Sequence, residues 1–227
     1  MKKLTLSALL LLQIVFSHAQ NSEWEVGMFL GGINYQGDLI PRTVDLSQSN
    51  VAIGLTSRYR YYYTLNFRAN LIVGRIAASD MDYPERESRG FSFQSSLVEM
   101  SGLAEWEPFG KERELRGGST SLLISPYLMG GMGLAFINPK PNFPTIGNPG
   151  SQNPIIQDIR ASYSKVQMVL PLGIGARYDI NSKWTICAEI AGRVTFTDYL
   201  DGISIAANPG NNDYYWTFGL AAMFKPR

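Results

Sequence analysis

Four acidic residues, Asp80, Asp82, Glu85 and Glu87, stand close together with Arg86 and Arg89. Carboxylates this near in sequence could hold a divalent cation or act as the acid and base of a glycoside hydrolase, given a defined geometry. Spacing alone does not supply that geometry, and the simpler reading of the segment is a solvated loop. Asp198 and Asp201, within Thr197-Asp198-Tyr199-Leu200-Asp201, read as a turn. Cys187 is the single cysteine, so it can form no intramolecular disulfide. It reads as a small inward residue and not as a nucleophile.

Histidine chemistry is removed by the first twenty residues. Lys2 and Lys3 are followed by the apolar run Leu4 to Phe16 and then by Ser17-His18-Ala19, a small-x-small cleavage site before Gln20. This is the pattern of a secretory signal peptide, assigned to residues 1–19, and residues 20–227 form one domain. The run is too short to span a bilayer as a helix, and no cysteine near the cleavage point offers a lipid anchor. His18 is the only histidine and leaves with the leader. The remaining chain cannot build a Ser-His-Asp or Cys-His site, nor a histidine metal site. Losing two lysines leaves 18 basic against 19 acidic residues, a net charge of −1 with no nucleic-acid footprint. No catalytic residue, metal ligand or cofactor is expected.

A second set of charges lies inside apolar alternation: Arg58, Arg68, Arg177 and Arg193, with Glu99, Glu105 and Glu189. The elements that carry them are strands. The chain has 227 residues, 45% hydrophobic, 12% aromatic and only 17% charged, against roughly 25% charged in ordinary soluble domains. From Trp24 onward the dominant period is two. Trp184, Ile186, Ala188, Ile190, Gly192, Val194 and Phe196 share one face, opposite Thr185, Cys187, Glu189, Ala191, Arg193 and Thr195. Such runs predict eight strands near 23–35, 50–61, 64–79, 91–107, 121–138, 164–179, 184–198 and 214–224. No helical period or internal repeat competes with them.

Short connections at 62–63 and 180–183 alternate with long ones at 36–49, 80–90, 139–163 and 199–213. That asymmetry, with an even strand number, marks an outer-membrane barrel whose short turns and both termini face the periplasm. Trp24, Tyr61, Trp106, Tyr178, Trp184 and Phe224 are expected as one aromatic girdle, and Tyr35, Phe93, Phe136, Phe196 and Trp216 as the other. A soluble eight-stranded barrel would need a polar outer face, which this alternation lacks. The expected fold is therefore an all-β, eight-stranded antiparallel transmembrane barrel in contact with outer-membrane lipid. Eight strands leave a lumen only wide enough for side chains. The seven inward charges can serve as a proton or ion path or, more simply, as an internal ion-pair network that closes it.

Gly27 to Leu39 (GMFLGGINYQGDL) and Phe196 to Ser204 (FTDYLDGIS) resemble the PorG-like outer-membrane barrels of the type IX secretion system in Bacteroidetes. Pro126 to Pro139 (PYLMGGMGLAFINP) and Pro171 to Tyr178 (PLGIGARY) fit the same family. The departure is Asp201-Gly202, where the family more often carries Asp-Asp. The resemblance implies a non-enzymatic component of a protein-export machine, associated with a periplasmic ring of lipoprotein and partner subunits. The alternative is a stand-alone small barrel with a structural, adhesion or surface-protection role. The segment Gly110 to Thr120 is the one extended connection on the short-turn rim. Its Lys111, Arg113 and Arg116 are candidates for docking carboxylates of the ring, the alternative being a solvated turn of mixed charge.

Overall fold

The computed structural model describes residues 23–40, 48–110, 124–144, 153–207 and 210–226. Their alternating sequence forms eight strands: β1 (Trp24–Gln36), β2 (Asn50–Tyr62), β3 (Leu65–Ser79), β4 (Ser92–Trp106), β5 (Ile124–Asn142), β6 (Val166–Asp179), β7 (Trp184–Thr195) and β8 (Tyr214–Phe224). Each pairs antiparallel with the next, and β1 pairs with β8 from Val26–Phe224 to Gln36–Tyr214, closing the sheet into a barrel. At the closing seam Gly31 faces Gly219. A Cβ on Gly31 would lie 2.1 Å from the Phe218 carbonyl oxygen, so only glycine lets the two backbones approach this closely.

The period-two pattern sorts side chains as the pleat requires. Met28, Leu30, Ile53, Leu55, Met100, Met132, Leu172, Ile174 and Leu220 are exposed on the outer wall. The inner face is stratified. Toward the short-turn rim it carries Glu25, Arg58, Arg68, Glu105, Glu107 and Arg177, all buried. Toward the long-loop rim it is filled by Ile33, Tyr35, Ile76, Leu97, Phe93 and Ile137, over which Leu39, Phe91, Leu200 and Ile203 fold from the loops.

Three features differ from the sequence expectations. β5 runs four residues beyond 138, through Pro139 and Pro141, which pair with Ser95 and Phe93 of β4. The Ile137 N–H donates to the Lys165 carbonyl on the β6 side, and β6 itself starts at Val166. By alternation Pro139 and Pro141 turn their nitrogens to that same side, where the ladder has ended, so their missing N–H groups cost nothing. Second, the connection after β5 contains a helix, α1 (Pro154–Arg160), capped by Asn153, whose side-chain oxygen accepts from the Ile155 N–H at 2.9 Å. Seven residues are two turns, too few to show a helical period. Third, Tyr35 and Phe93 are no part of an outer girdle. Both point inward, with ring centroids 4.7 Å apart. Tyr35 shares the parity of Phe29 and Ile33, which face the core. Phe136 and Phe196 do lie outside, as do Trp24, Tyr61, Trp106, Tyr178 and Trp184 at the opposite end.

Candidate functional site

Two inward strata carry all the chemistry of the described barrel. The lower one is built around Glu105 on β4. Arg58 Nε reaches its Oε2 at 2.6 Å, Arg68 Nη1 its Oε1 at 3.1 Å, and Arg177 Nη2 its Oε2 at 3.1 Å. Three guanidinium groups thus share one carboxylate that is fully buried. Each has a second anion: Arg58 pairs with Glu25 at 2.6 Å, Arg177 with Glu107 at 2.7 Å, and Arg68 forks onto Glu189, donating from Nη2 to Oε2 at 2.9 Å. Tyr127 donates to Glu189 at 2.6 Å. Nearer the middle, Arg193 Nε pairs with Glu99 at 3.0 Å and Tyr215 donates to the same carboxylate at 2.9 Å.

The structure therefore places Arg58, Arg68, Glu99, Glu105, Arg177, Glu189 and Arg193 inside the barrel, in two groups rather than one continuous chain. Glu25 and Glu107 belong to the lower group and were not singled out from sequence. Each directly follows an outward tryptophan, Trp24 and Trp106, so strand parity alone turns them inward. Charges packed at this density exchange hydration for charge-assisted hydrogen bonds, and the result is a filled lumen. Purified protein in planar bilayers is accordingly expected to show no steady conductance of porin size. Stable large openings from the monomer would overturn the closed-lumen reading.

The upper stratum lies at the long-loop rim. Asp80 is no part of a solvated loop: it is fully buried, and Arg89 grips it through Nε at 2.6 Å and Nη2 at 2.7 Å. Asp82, Glu85 and Glu87 are exposed. Asp158 on α1 accepts backbone N–H bonds from Ser204, Ile205 and Ala206 at 3.2, 3.0 and 2.9 Å, tying the β5–β6 connection to the β7–β8 connection. Asp201 and Asp213 both meet the Tyr35 hydroxyl, at 2.7 and 2.8 Å. Sequence reasoning saw Asp201 as a turn residue and passed over Asp213, because their partner lies on β1. Cys187 is buried in the lumen beside Arg58. Lys111, Arg113 and Arg116, like the leader 1–19, lie outside the described residues.

Residues 2–221 match the family described as "Domain of unknown function (DUF6089)". No curated protein matches. Among solved structures, Neisserial surface protein A has a TM-score of 0.50 at 13% identity, covering 89% of this chain and 96% of that one. A major outer membrane protein from Thermus thermophilus has 0.48 at 13%, covering 88% and 99%. The outer membrane protein OprG from Pseudomonas aeruginosa has 0.46 at 10%, covering 89% and 95%. At 13% identity the likeness to Neisserial surface protein A speaks to the fold alone, and the strand order here is a closed eight-stranded barrel of that outer-membrane type.

Proposed function

This chain belongs to the DUF6089 family, and from that premise we propose that it is a non-enzymatic outer-membrane barrel that anchors the periplasmic ring of a type IX protein-secretion machine. The observation that carries the anchoring role is the sealed lumen inside an apolar outer wall. Glu105 with its three arginines blocks the bore, while Leu30, Ile53, Met132 and Leu220 face outward. Such a body can hold a position in a bilayer but cannot conduct cargo. The short-turn rim and both termini then face the periplasm.

The choice of machine rests on the resemblance of two segments, Gly27 to Leu39 and Phe196 to Ser204. Far apart in the chain, they meet in space, since Tyr35 of the first bonds Asp201 of the second. Docking of the ring falls to Lys111, Arg113 and Arg116, on the one extended connection of that rim. Deleting the gene should abolish secretion of type IX cargo, and the intact gene should restore it. The triple alanine variant of Lys111, Arg113 and Arg116 should lose co-purification with the ring while still inserting.

A stand-alone surface role is the second reading, and one observation favours it. The described parts of the long connections pack into a cap, with Asp158 and Asp80 buried in it, as a recognition surface would require. Unchanged secretion in the deletion strain, with altered surface adhesion or serum sensitivity, would select this reading instead.

A further inference from the structure

The Tyr35 hydroxyl has one hydrogen to give, yet it sits between two carboxylates. Its oxygen is 2.7 Å from Asp201 Oδ2 and 2.8 Å from Asp213 Oδ1, and it also accepts the Asp38 N–H at 2.9 Å. The phenol hydrogen can serve only one of the two carboxyl groups. At these distances the other contact needs a hydrogen of its own, and only a protonated carboxyl can bring it. The outer oxygens are already committed as acceptors. Asp201 Oδ1 takes the Ile203 N–H at 2.8 Å and Asp213 Oδ2 takes the Leu200 N–H at 3.0 Å.

We propose that Asp201 and Asp213 share one bound proton at neutral pH, and that this proton latches the β7–β8 connection to β1, so that the cap over the long-loop rim loosens when it is lost. The surroundings favour the neutral form. Asp201 and Asp213 are fully buried beneath Leu39, Leu200 and Ile203. Asp38 from the β1–β2 connection and Asp198 from the β7–β8 connection add negative charge nearby. Arg89 of the β3–β4 connection, which feels the Asp201 charge, is held by Asp80 and by the Asp38 carbonyl, which Arg86 also contacts. Tyr163 before β6 faces Asp201 as a neutral phenol. Burial first, and then the Asp213 charge, push the Asp201 carboxyl well above the usual carboxylate range, and burial does the same to Asp213. Among the described residues no three His, Cys, Asp or Glu side chains are grouped to hold a metal ion.

The sign follows from linkage. A carboxyl raised in the folded state contributes fully below its unfolded pKa of about 4, and that contribution is lost as pH rises through the folded value. Asp201→Asn copies the protonated form: its amide NH2 donates to Tyr35 and its oxygen accepts from Ile203. The test follows carboxyl carbon NMR and loop cleavage by chymotrypsin, in protein folded in detergent micelles, between pH 5 and 9. Wild type should show one protonated aspartate of this pair at pH 7. Its cleavage within residues 197–213 should match Asp201→Asn at pH 5 and exceed it by at least ~10-fold at pH 9, the factor for one pKa unit. Asp213→Asn should behave as Asp201→Asn does, and it carries the test if the first variant does not fold. Both aspartates titrating in the ordinary carboxylate range, or equal cleavage of variant and wild type at every pH, would overturn the proposal. So would calcium chloride protecting the wild-type cap at pH 9 as acid does, because that would make the pair a cation site.

Discussion

Glu105→Ala is expected to prevent the barrel from reaching its folded, heat-modifiable form. Glu105 is the one carboxylate shared by Arg58, Arg68 and Arg177. Removing it leaves three buried guanidinium groups close together, with Glu25, Glu189 and Glu107 as their separate anionic partners among the described residues. Breaking a buried pair from one side costs about 3–5 kcal/mol. Here a single change breaks three. A barrel with the ~5–15 kcal/mol of net stability usual for proteins has little margin against that loss. Glu105→Gln keeps the volume but not the charge, and should be nearly as damaging. Glu99→Ala breaks one ion pair, to Arg193, and the hydrogen bonds from Tyr215 and Ser101, so its effect should be clearly smaller. The measurement is the fraction of refolded protein that changes gel mobility on heating, with its urea midpoint. Equal midpoints for Glu105→Ala and wild type would show that the network carries no stability.

Leu30→Arg tests the outer wall. Leu30 lies at the middle of β1, 64% exposed, directly across from Leu220, which is 56% exposed. In water an exposed leucine is an indifferent place for arginine. In a bilayer the same position lies near the midplane, where arginine on the lipid face costs about 2–4 kcal/mol. The variant should therefore lose folding efficiency into liposomes by at least ~30-fold in equilibrium constant, one decade per 1.4 kcal/mol. Met81→Arg at the long-loop rim, at 61% exposure, should be neutral. If both variants fold alike, the apolar wall does not face lipid and the membrane reading falls.

Local alternation was enough to place eight strands and to tell their faces apart, because a strand's side-chain period of two does not depend on what the strand pairs with. It put Arg58, Arg68, Glu99, Glu105, Arg177, Glu189 and Arg193 on inward positions, and the absence of a second histidine narrowed the chemistry by composition alone. Where alternation was weakest, in β1, it misassigned Tyr35. Where an end effect ruled, at Pro139 and Pro141, it stopped β5 too soon.

Tertiary structure alone decided the partners. That three arginines converge on Glu105 follows from the strand register and from closure of β1 on β8, which no single segment encodes. That Asp80, Asp158, Asp201 and Asp213 are buried rather than solvated follows from loops folding back over the rim, against residues of distant strands. The physical reason is one of range. A strand's faces are set by the geometry of its own backbone, residue by residue. The environment of a charge is set by whatever the closed barrel brings within a few ångströms of it, and Tyr35 and Asp201 stand 166 residues apart in the chain.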